Sequence, residues 1–276
     1  MPVARGKAFC EAGDMQHVAN LGVADPARAD PFAPGVVLLR QAVRAQFRAV
    51  IGEVPVILRV ESGRKVLLGA IEAQVPEGAL ALMPAGQPMD VENHPGAGGL
   101  YRATGIMVAD ALACPRGTSA APWSNDPRAL AAFERALAAQ RSPGVPQSLR
   151  DHAVLEVLLW LDAAGVRLPP LAPPALPDRV RQITGAALDH DWRAAEIAAV
   201  LAMSEATLRR RLAGFGVGLS ALLADQRMNR ALALLQATDL PVGVIAGDVG
   251  YASPSRFAAR FRARFGVTPG AIRGLR

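Results

Sequence analysis

Five of the ten residues from Leu168 to Pro177 are proline, in the order Leu-Pro-Pro-Leu-Ala-Pro-Pro-Ala-Leu-Pro. Each proline fixes φ and removes a backbone donor, so such a run cannot be helix and favours an extended, semi-rigid spacer. It splits the 276-residue chain into two parts of different character, and the length suffices for two domains. The expected division is 1–167, a linker at 168–177, and 178–276.

The two parts differ in charge. Met1 to Pro177 carries 16 Lys and Arg against 16 Asp and Glu. From Asp178 to Arg276 there are 14 Arg, no Lys and 8 acidic residues, a net +6 that is the whole formal charge of the chain. A basic domain beside a neutral one points to a polyanion partner, although drift in a small domain produces the same imbalance. Hydrophobic residues make up 51% of the chain, enough for buried cores and against wholesale disorder. No apolar run reaches the ~18–20 residues of a membrane span. Met1 to Phe9 has two basic residues with no apolar stretch behind them, so it does not read as a signal peptide, and a cytoplasmic location without a membrane partner is expected. Cys10 and Cys114, and the scattered His17, His94, His152 and His190, match no metal or redox spacing. Free thiols, no metal and no cofactor are the expectation.

Ahead of the prolines, short apolar runs recur at Val36–Leu39, Val56–Val60, Val66–Leu68, Ala79–Met83 and Gly105–Val108. Turn signals at Ser62-Gly63, Pro76-Glu77-Gly78, Pro84-Ala85-Gly86 and Pro95-Gly96 divide them, the pattern of a sandwich or barrel. Two helices follow, at about 126–139 with Asp126 as N-cap and Pro127 in the first turn, and at about 148–164, where Ala153, Leu155, Leu158 and Leu159 suggest a broad apolar face. The first 30 residues carry little signal and are expected to be partly mobile.

Behind the prolines no strand pattern appears. A helix over about 178–188 leads into two similar units. In the first, Trp192 to Leu212, a short helix turns Ile197, Ala198 and Leu201 inward, Ser204 caps the next helix, and Leu208 and Leu212 form its buried face. In the second, Pro241 to Phe265, Ile245, Ala246 and Val249 take the same roles, Gly250 makes the turn, Ser253 caps, and Pro254 opens a helix with a Phe257, Phe261, Phe265 stripe. That spacing is the helix-turn-helix pattern, in which the second helix enters the major groove, and Arg209, Arg210 and Arg211 would meet phosphates or guanine edges there. A helical hairpin with a solvated arginine face accounts for the first unit alone equally well; the second unit tips the balance. A continuous helix over 220–238 joins them, about 28 Å long at ~1.5 Å per residue, close to the ~34 Å between successive major-groove faces of a duplex.

These residues resemble the DNA-binding domain of the arabinose-regulator (AraC/XylS) family. The match rests on Ile245-Ala246, Val249-Gly250-Tyr251, Ser253, Ser255, Phe257, Phe261, Phe265-Gly266-Val267-Thr268-Pro269 and Arg273, and in the first unit on Trp192, Met203-Ser204 and Thr207-Leu208. Trp192 with Met-Ser-x-x-Thr-Leu-Arg-Arg is similar to the enteric virulence and acid-response regulators of that family. The resemblance implies base reading by Glu205, Ala206, Arg209 and Arg210, with Thr207 completing the DNA-facing set. In the second helix it implies Pro254, Ser255 and Ala259 at bases and Arg256 and Arg260 at phosphates. Ala206, Pro254 and Ala259 cannot make bidentate bonds to bases, so the first helix is expected to read sequence and the second mainly to clamp the backbone. Gly243 and Gly247 should loosen the second unit, at roughly 1 kcal/mol each relative to alanine.

The same resemblance implies an α+β two-domain chain, with a cupin-like β-barrel and helices in front and an all-α domain with two helix-turn-helix motifs behind. The barrel, holding only His94, is expected to be metal-free and to bind a small effector, to dimerise, or both. Arg40, Arg59, Lys65 and Arg102 are the candidate contacts to an acidic ligand such as a fatty acid, against the plainer reading of solvated surface residues. Double-stranded DNA, a small effector and RNA polymerase are the candidate partners, and the chain is expected as monomer or homodimer. Two further readings compete: a ligand-insensitive DNA-binding assembly factor, and an enzyme with Cys114 as nucleophile, which lacks the strand–nucleophile–helix setting.

Overall fold

The computed structural model describes residues 35–52, 54–69, 71–109, 112–170 and 173–274. Cys10, His17 and the expected mobile first 30 residues lie outside this range. The N-terminal strands are β1 (Val36–Gln41), β2 (Ala45–Val50), β3 (Val56–Ser62), β4 (Arg64–Gly69), β5 (Ala73–Val75), β6 (Leu80–Met83), β7 (Met89–His94) and β8 (Tyr101–Met107). They form two antiparallel four-stranded sheets, ordered β1-β8-β3-β6 and β2-β7-β4-β5. Leu58, Val60, Leu67, Val91, Tyr101 and Ala103 fill the space between them. β2, β5 and β7 were not among the expected strands. β7, Met-Asp-Val-Glu-Asn-His, has no apolar run but alternates buried and half-buried residues, the signature of a strand with one wetter face.

The tight β3–β4 turn needs Gly63, at φ +87, where a Cβ would come within 2.1 Å of the His94 carbonyl oxygen. Two helices cover the outer face of the first sheet. α1 (Pro127–Arg141) is capped by Asp126, whose carboxylate accepts from the Arg128 amide. α2 (Gln147–Ala163) buries Val154, Val157, Leu158 and Leu161, whereas Leu159 is 61% exposed. Its apolar stripe therefore lies about one position away from the expected one, because the sheet selects one face of a helix that is apolar nearly all round. Ile57, Leu80, Leu82 and Ile106 form the sheet side of this core.

The proline-rich stretch is only partly a spacer. Leu168 is fully buried and its amide donates to the Pro115 carbonyl, and Arg116 donates to the Pro169 carbonyl. At the other end Leu176 and Pro177 already form the first turn of α3 (Leu176–Gly185).

The C-terminal helices continue as α4 (Ala194–Val200), α5 (Glu205–Gly214), α6 (Leu219–Ala237), α7 (Val242–Asp248), α8 (Pro254–Phe265) and α9 (Pro269–Ile272). Val180, Ile197, Ala198, Leu201, Leu208, Leu212 and Leu222 make the first core. The second contains Met228, Leu235, Ile245, Phe257, Phe261 and Phe265, and it also takes in Val37 and Phe47 of the sheets. Phe47 meets Phe265 edge-on at 5.6 Å, and the Ala42 amide donates to the Ile272 carbonyl at 2.9 Å. The two domains thus share one apolar core through the second helical unit.

Candidate nucleic-acid interface and interdomain cavity

The two helical units close by the same backbone device. α4 ends at Ala202, φ +53, with the Met203 amide on the Ala198 carbonyl at 2.9 Å. α7 ends at Gly250, φ +81, with the Tyr251 amide on the Ala246 carbonyl at 2.8 Å. Both are left-handed helix ends of the kind that satisfies the last free carbonyls. The next helix then starts at a serine: Ser204 accepts from the Thr207 amide, and Ser253 from the Arg256 amide.

On α5, Glu205, Ala206, Arg209 and Arg210 are exposed, while Leu208 and Leu212 are buried. Thr207 is half-buried and accepts from the Ser204 hydroxyl, which makes it part of the cap. Glu205 holds Arg209 at 3.3 Å, one turn apart. That pairing occupies part of the Arg209 guanidinium and leaves Arg210 and Arg211 as its exposed neighbours. On α8, Pro254, Ser255, Arg256, Ala259 and Arg260 are all exposed, opposite the buried phenylalanines. Apart from Thr207, the positions expected from the sequence to face DNA therefore fall on one outer surface of each second helix.

α6, 19 residues long, holds the two units in fixed relation. Near its middle Gln226 accepts from Thr184 and donates to the Arg181 carbonyl, and Arg227 donates to the carbonyls of Leu188 and His190. At its end the Arg273 guanidinium donates to three carbonyls, those of Leu235, Thr238 and Leu240. Arg264 bonds Asp225 at 2.9 Å and the Arg48 carbonyl at 2.6 Å, which ties α8 to both α6 and β2.

A cavity of about 610 Å³ opens between the sheets and the helices α3 and α6. Val37, Leu39, Phe47, Met83, Met89 and Leu232 make its walls largely apolar, and Lys65 enters from β4. Lys65 is 4% exposed, and among the described residues its one hydrogen-bond partner is Asn93 Oδ1, at 2.7 Å. Its ammonium lies 5.3 Å from the centre of the Tyr101 ring. Burial lowers its pKa from 10.5 to about 7.

The other three candidate ligand contacts do not reach this cavity, and strand alternation is the reason. Arg40 and Arg102 sit opposite one another on the outward face of β1 and β8 and are exposed. Arg59 shares the outer face of β3 with Ile57 and pairs with Glu134 of α1. Asn93 and Gln236, which join Lys65 in the cavity wall, and Gln41, which bonds both of them, carry no signal in the sequence, being scattered along the chain and each an ordinary amide. Cys114 is half-buried, and burial pushes its thiol pKa up against the smaller opposing effect of Arg116, so the thiol is held protonated. No cluster of three or more potential metal ligands occurs among the described residues.

A two-domain chain with a double sheet in front and two capped helix-turn-helix units behind is the architecture so defined. Residues 197–274 match the family model of a helix-turn-helix domain. The C-terminal part is a helix-turn-helix domain of the AraC type. Transcriptional regulator SirC of Salmonella typhimurium is 37% identical over 92 residues, which are 33% of this chain and 31% of that protein. The transcriptional regulator GadX of Escherichia coli is 32% identical over 127 residues, 45% of this chain and 46% of that one. The chain thus matches less than half the length of either relative. ToxT of Vibrio cholerae, at 13% identity, superposes with a TM-score of 0.59 over 87% of this chain and 98% of its own. At that identity the likeness is one of fold, and it extends across both domains.

Proposed function

We propose that this chain is a sequence-specific DNA-binding transcription regulator, controlled by a small acidic amphiphile in the interdomain cavity. The DNA reading rests on one observation: two helix-turn-helix units, each with its second helix exposed on the outer side, are locked to one rigid 19-residue helix in the domain that carries the chain's entire net charge. An α6 rise of about 28 Å suits two recognition helices entering one face of a duplex about one turn apart.

Support for the effector comes from Lys65. A buried ammonium with a single neutral partner in an apolar cavity is short of a counter-charge, and a carboxylate with a hydrocarbon tail supplies both missing parts. ToxT has been crystallised with an unsaturated fatty acid bound. Lys65 is the head-group residue in this reading; Arg40, Arg59 and Arg102 have no part in it.

Footprinting on DNA selected from a random pool, at about 50 and about 200 mM salt, tests the first half. Two protected major-groove segments one turn apart, persisting at the higher salt, are expected. Diffuse protection that disappears with salt would overturn sequence-specific binding. Thermal shift with oleate tests the second half, because a ligand that prefers the folded state must raise its stability.

A further inference from the structure

A chain of side-chain amides runs from the cavity into the helical domain. The Lys65 amine donates to Asn93 Oδ1 at 2.7 Å; Asn93 Nδ2 donates to Gln41 Oε1 at 2.9 Å; and Gln236 Nε2, on the last turn of α6, donates to the same Gln41 oxygen at 2.7 Å. Gln41 Nε2 is spent on the Val43 carbonyl, also at 2.7 Å. Gln41 and Asn93 are each 1% exposed, so water cannot substitute for a lost partner.

Each amide has its sense set by its partners, Asn93 by Lys65 and Gln41, and Gln41 by the Val43 carbonyl together with Asn93 and Gln236. A lysine ammonium has donors only, so Asn93 must turn its oxygen to it and its NH2 to Gln41. Gln41 must then present its oxygen, the one group that also suits the Gln236 NH2. If Lys65 turns away to another acceptor, Asn93 Oδ1 is left buried and unpaired, and only the bond to Gln41 Oε1 still holds the Asn93 amide in this sense. An inverted Asn93 faces Gln41 oxygen to oxygen. An inverted Gln41 faces Gln236 NH2 to NH2. Either inversion removes a buried bond, and the second removes a bond between the domains.

We propose that Asn93 and Gln41 are positioning residues that transmit the engagement of Lys65 to Gln236, and so set how firmly the end of α6 is held against the sheets. Its link to a ligand rests on the proposed carboxylate at Lys65, but the coupling between Lys65 and Gln236 exists without one. α6 carries both helix-turn-helix units, so the chain ends on the element whose placement governs whether the two recognition helices act together.

A double-mutant cycle on the full chain separates the two ideas. Lys65→Met and Gln236→Leu are made singly and together, and hydrogen exchange is followed at the last turn of α6. The expected result is non-additivity: once Gln236 is leucine, Lys65→Met changes that exchange by about threefold less than it does in the native background. Additive effects would overturn the relay. Lys65→Arg keeps the donor and is expected to behave as native; if Lys65→Met does not fold, Asn93→Leu, which also breaks the chain, takes its place in the cycle. The ratio of DNA affinities with and without oleate is then measured in Gln236→Leu, which leaves Lys65 and its Asn93 partner in place. Retained oleate binding with that ratio near one supports the relay, and a native ratio overturns it. Failure of oleate to bind the native chain overturns the acidic-ligand reading alone, since the cycle still decides the relay.

Discussion

Replacing Lys65 by methionine probes the electrostatics on which the cavity depends. In the folded chain burial holds this lysine near pKa 7, against 10.5 in its ordinary state. Between those values the unfolded chain keeps a proton that the folded chain has released, so stability rises with pH across the window. Below about pH 7 the penalty is complete and constant; above about 10.5 it has vanished. The displacement corresponds to about 5 kcal/mol at ~1.36 kcal/mol per unit, of which about 2 kcal/mol is recovered between pH 7 and pH 9. Methionine carries no proton, so this rise should be absent in Lys65→Met. At pH 7 the variant loses the hydrogen bond to Asn93, worth about 1–3 kcal/mol if that oxygen stays unpaired, but also the buried charge. It should therefore be the more stable protein at pH 7 by about 1–3 kcal/mol, with the difference shrinking and then reversing toward pH 9. Urea unfolding followed by tryptophan fluorescence at pH 7, 8 and 9 measures both curves. Parallel curves for the two proteins would refute the assignment of a strongly desolvated ammonium at this site. The same linkage predicts that a carboxylate ligand, by restoring the charge, binds about tenfold more weakly for each pH unit above about 7.

Arg210→Ala should cost about 1–3 kcal/mol on a selected DNA site and little on random DNA, whereas Arg260→Ala should mainly lower the salt slope of binding by about 1, both read from binding isotherms at several salt concentrations. Arg273→Ala leaves three α6-end carbonyls without their donor and should destabilise the helical domain by at least about 2 kcal/mol, seen as a lower urea midpoint and faster exchange near Thr238. Ala202→Gly relieves a left-handed alanine and should raise stability by about 0.5–1 kcal/mol. Gly250→Ala at the matching position should destabilise by more than that, because its Cβ would lie 2.9 Å from the Leu188 carbonyl oxygen as well as 3.0 Å from Arg227. Equal and opposite effects at these two sites would argue that backbone strain alone, and not the close approach of Leu188, demands the glycine.

The helical domain was legible in the sequence because its information is local. Ser204 and Ser253 cap helices within three residues of themselves, Phe257, Phe261 and Phe265 recur at the spacing of one helix face, and Gly250 stands where the chain must turn left-handed. α5, α6 and α8 accordingly begin within about a residue of where the pattern puts them. β7 and β2 escaped because a search for apolar runs does not see an alternating strand, and the buried stripe of α2 was ambiguous because nearly every side of that helix is apolar.

What tertiary structure alone decided is which distant residues meet. Four basic side chains on the strands looked equivalent as ligand contacts, yet the parity of each strand sends Lys65 inward and Arg40, Arg59 and Arg102 outward, and parity has meaning only once the sheets are stacked. Phe47 and Phe265, or Lys65, Asn93, Gln41 and Gln236, are brought together by the docking of two domains and by no periodicity in the chain. Composition and local pattern determine that this chain has a basic helical half with two capped, arginine-bearing helices; the packing of that half against the sheets creates the cavity and gives one buried lysine a route to the helix that carries them, because hydrogen bonds and apolar contacts depend on distance in space and not on separation along the sequence.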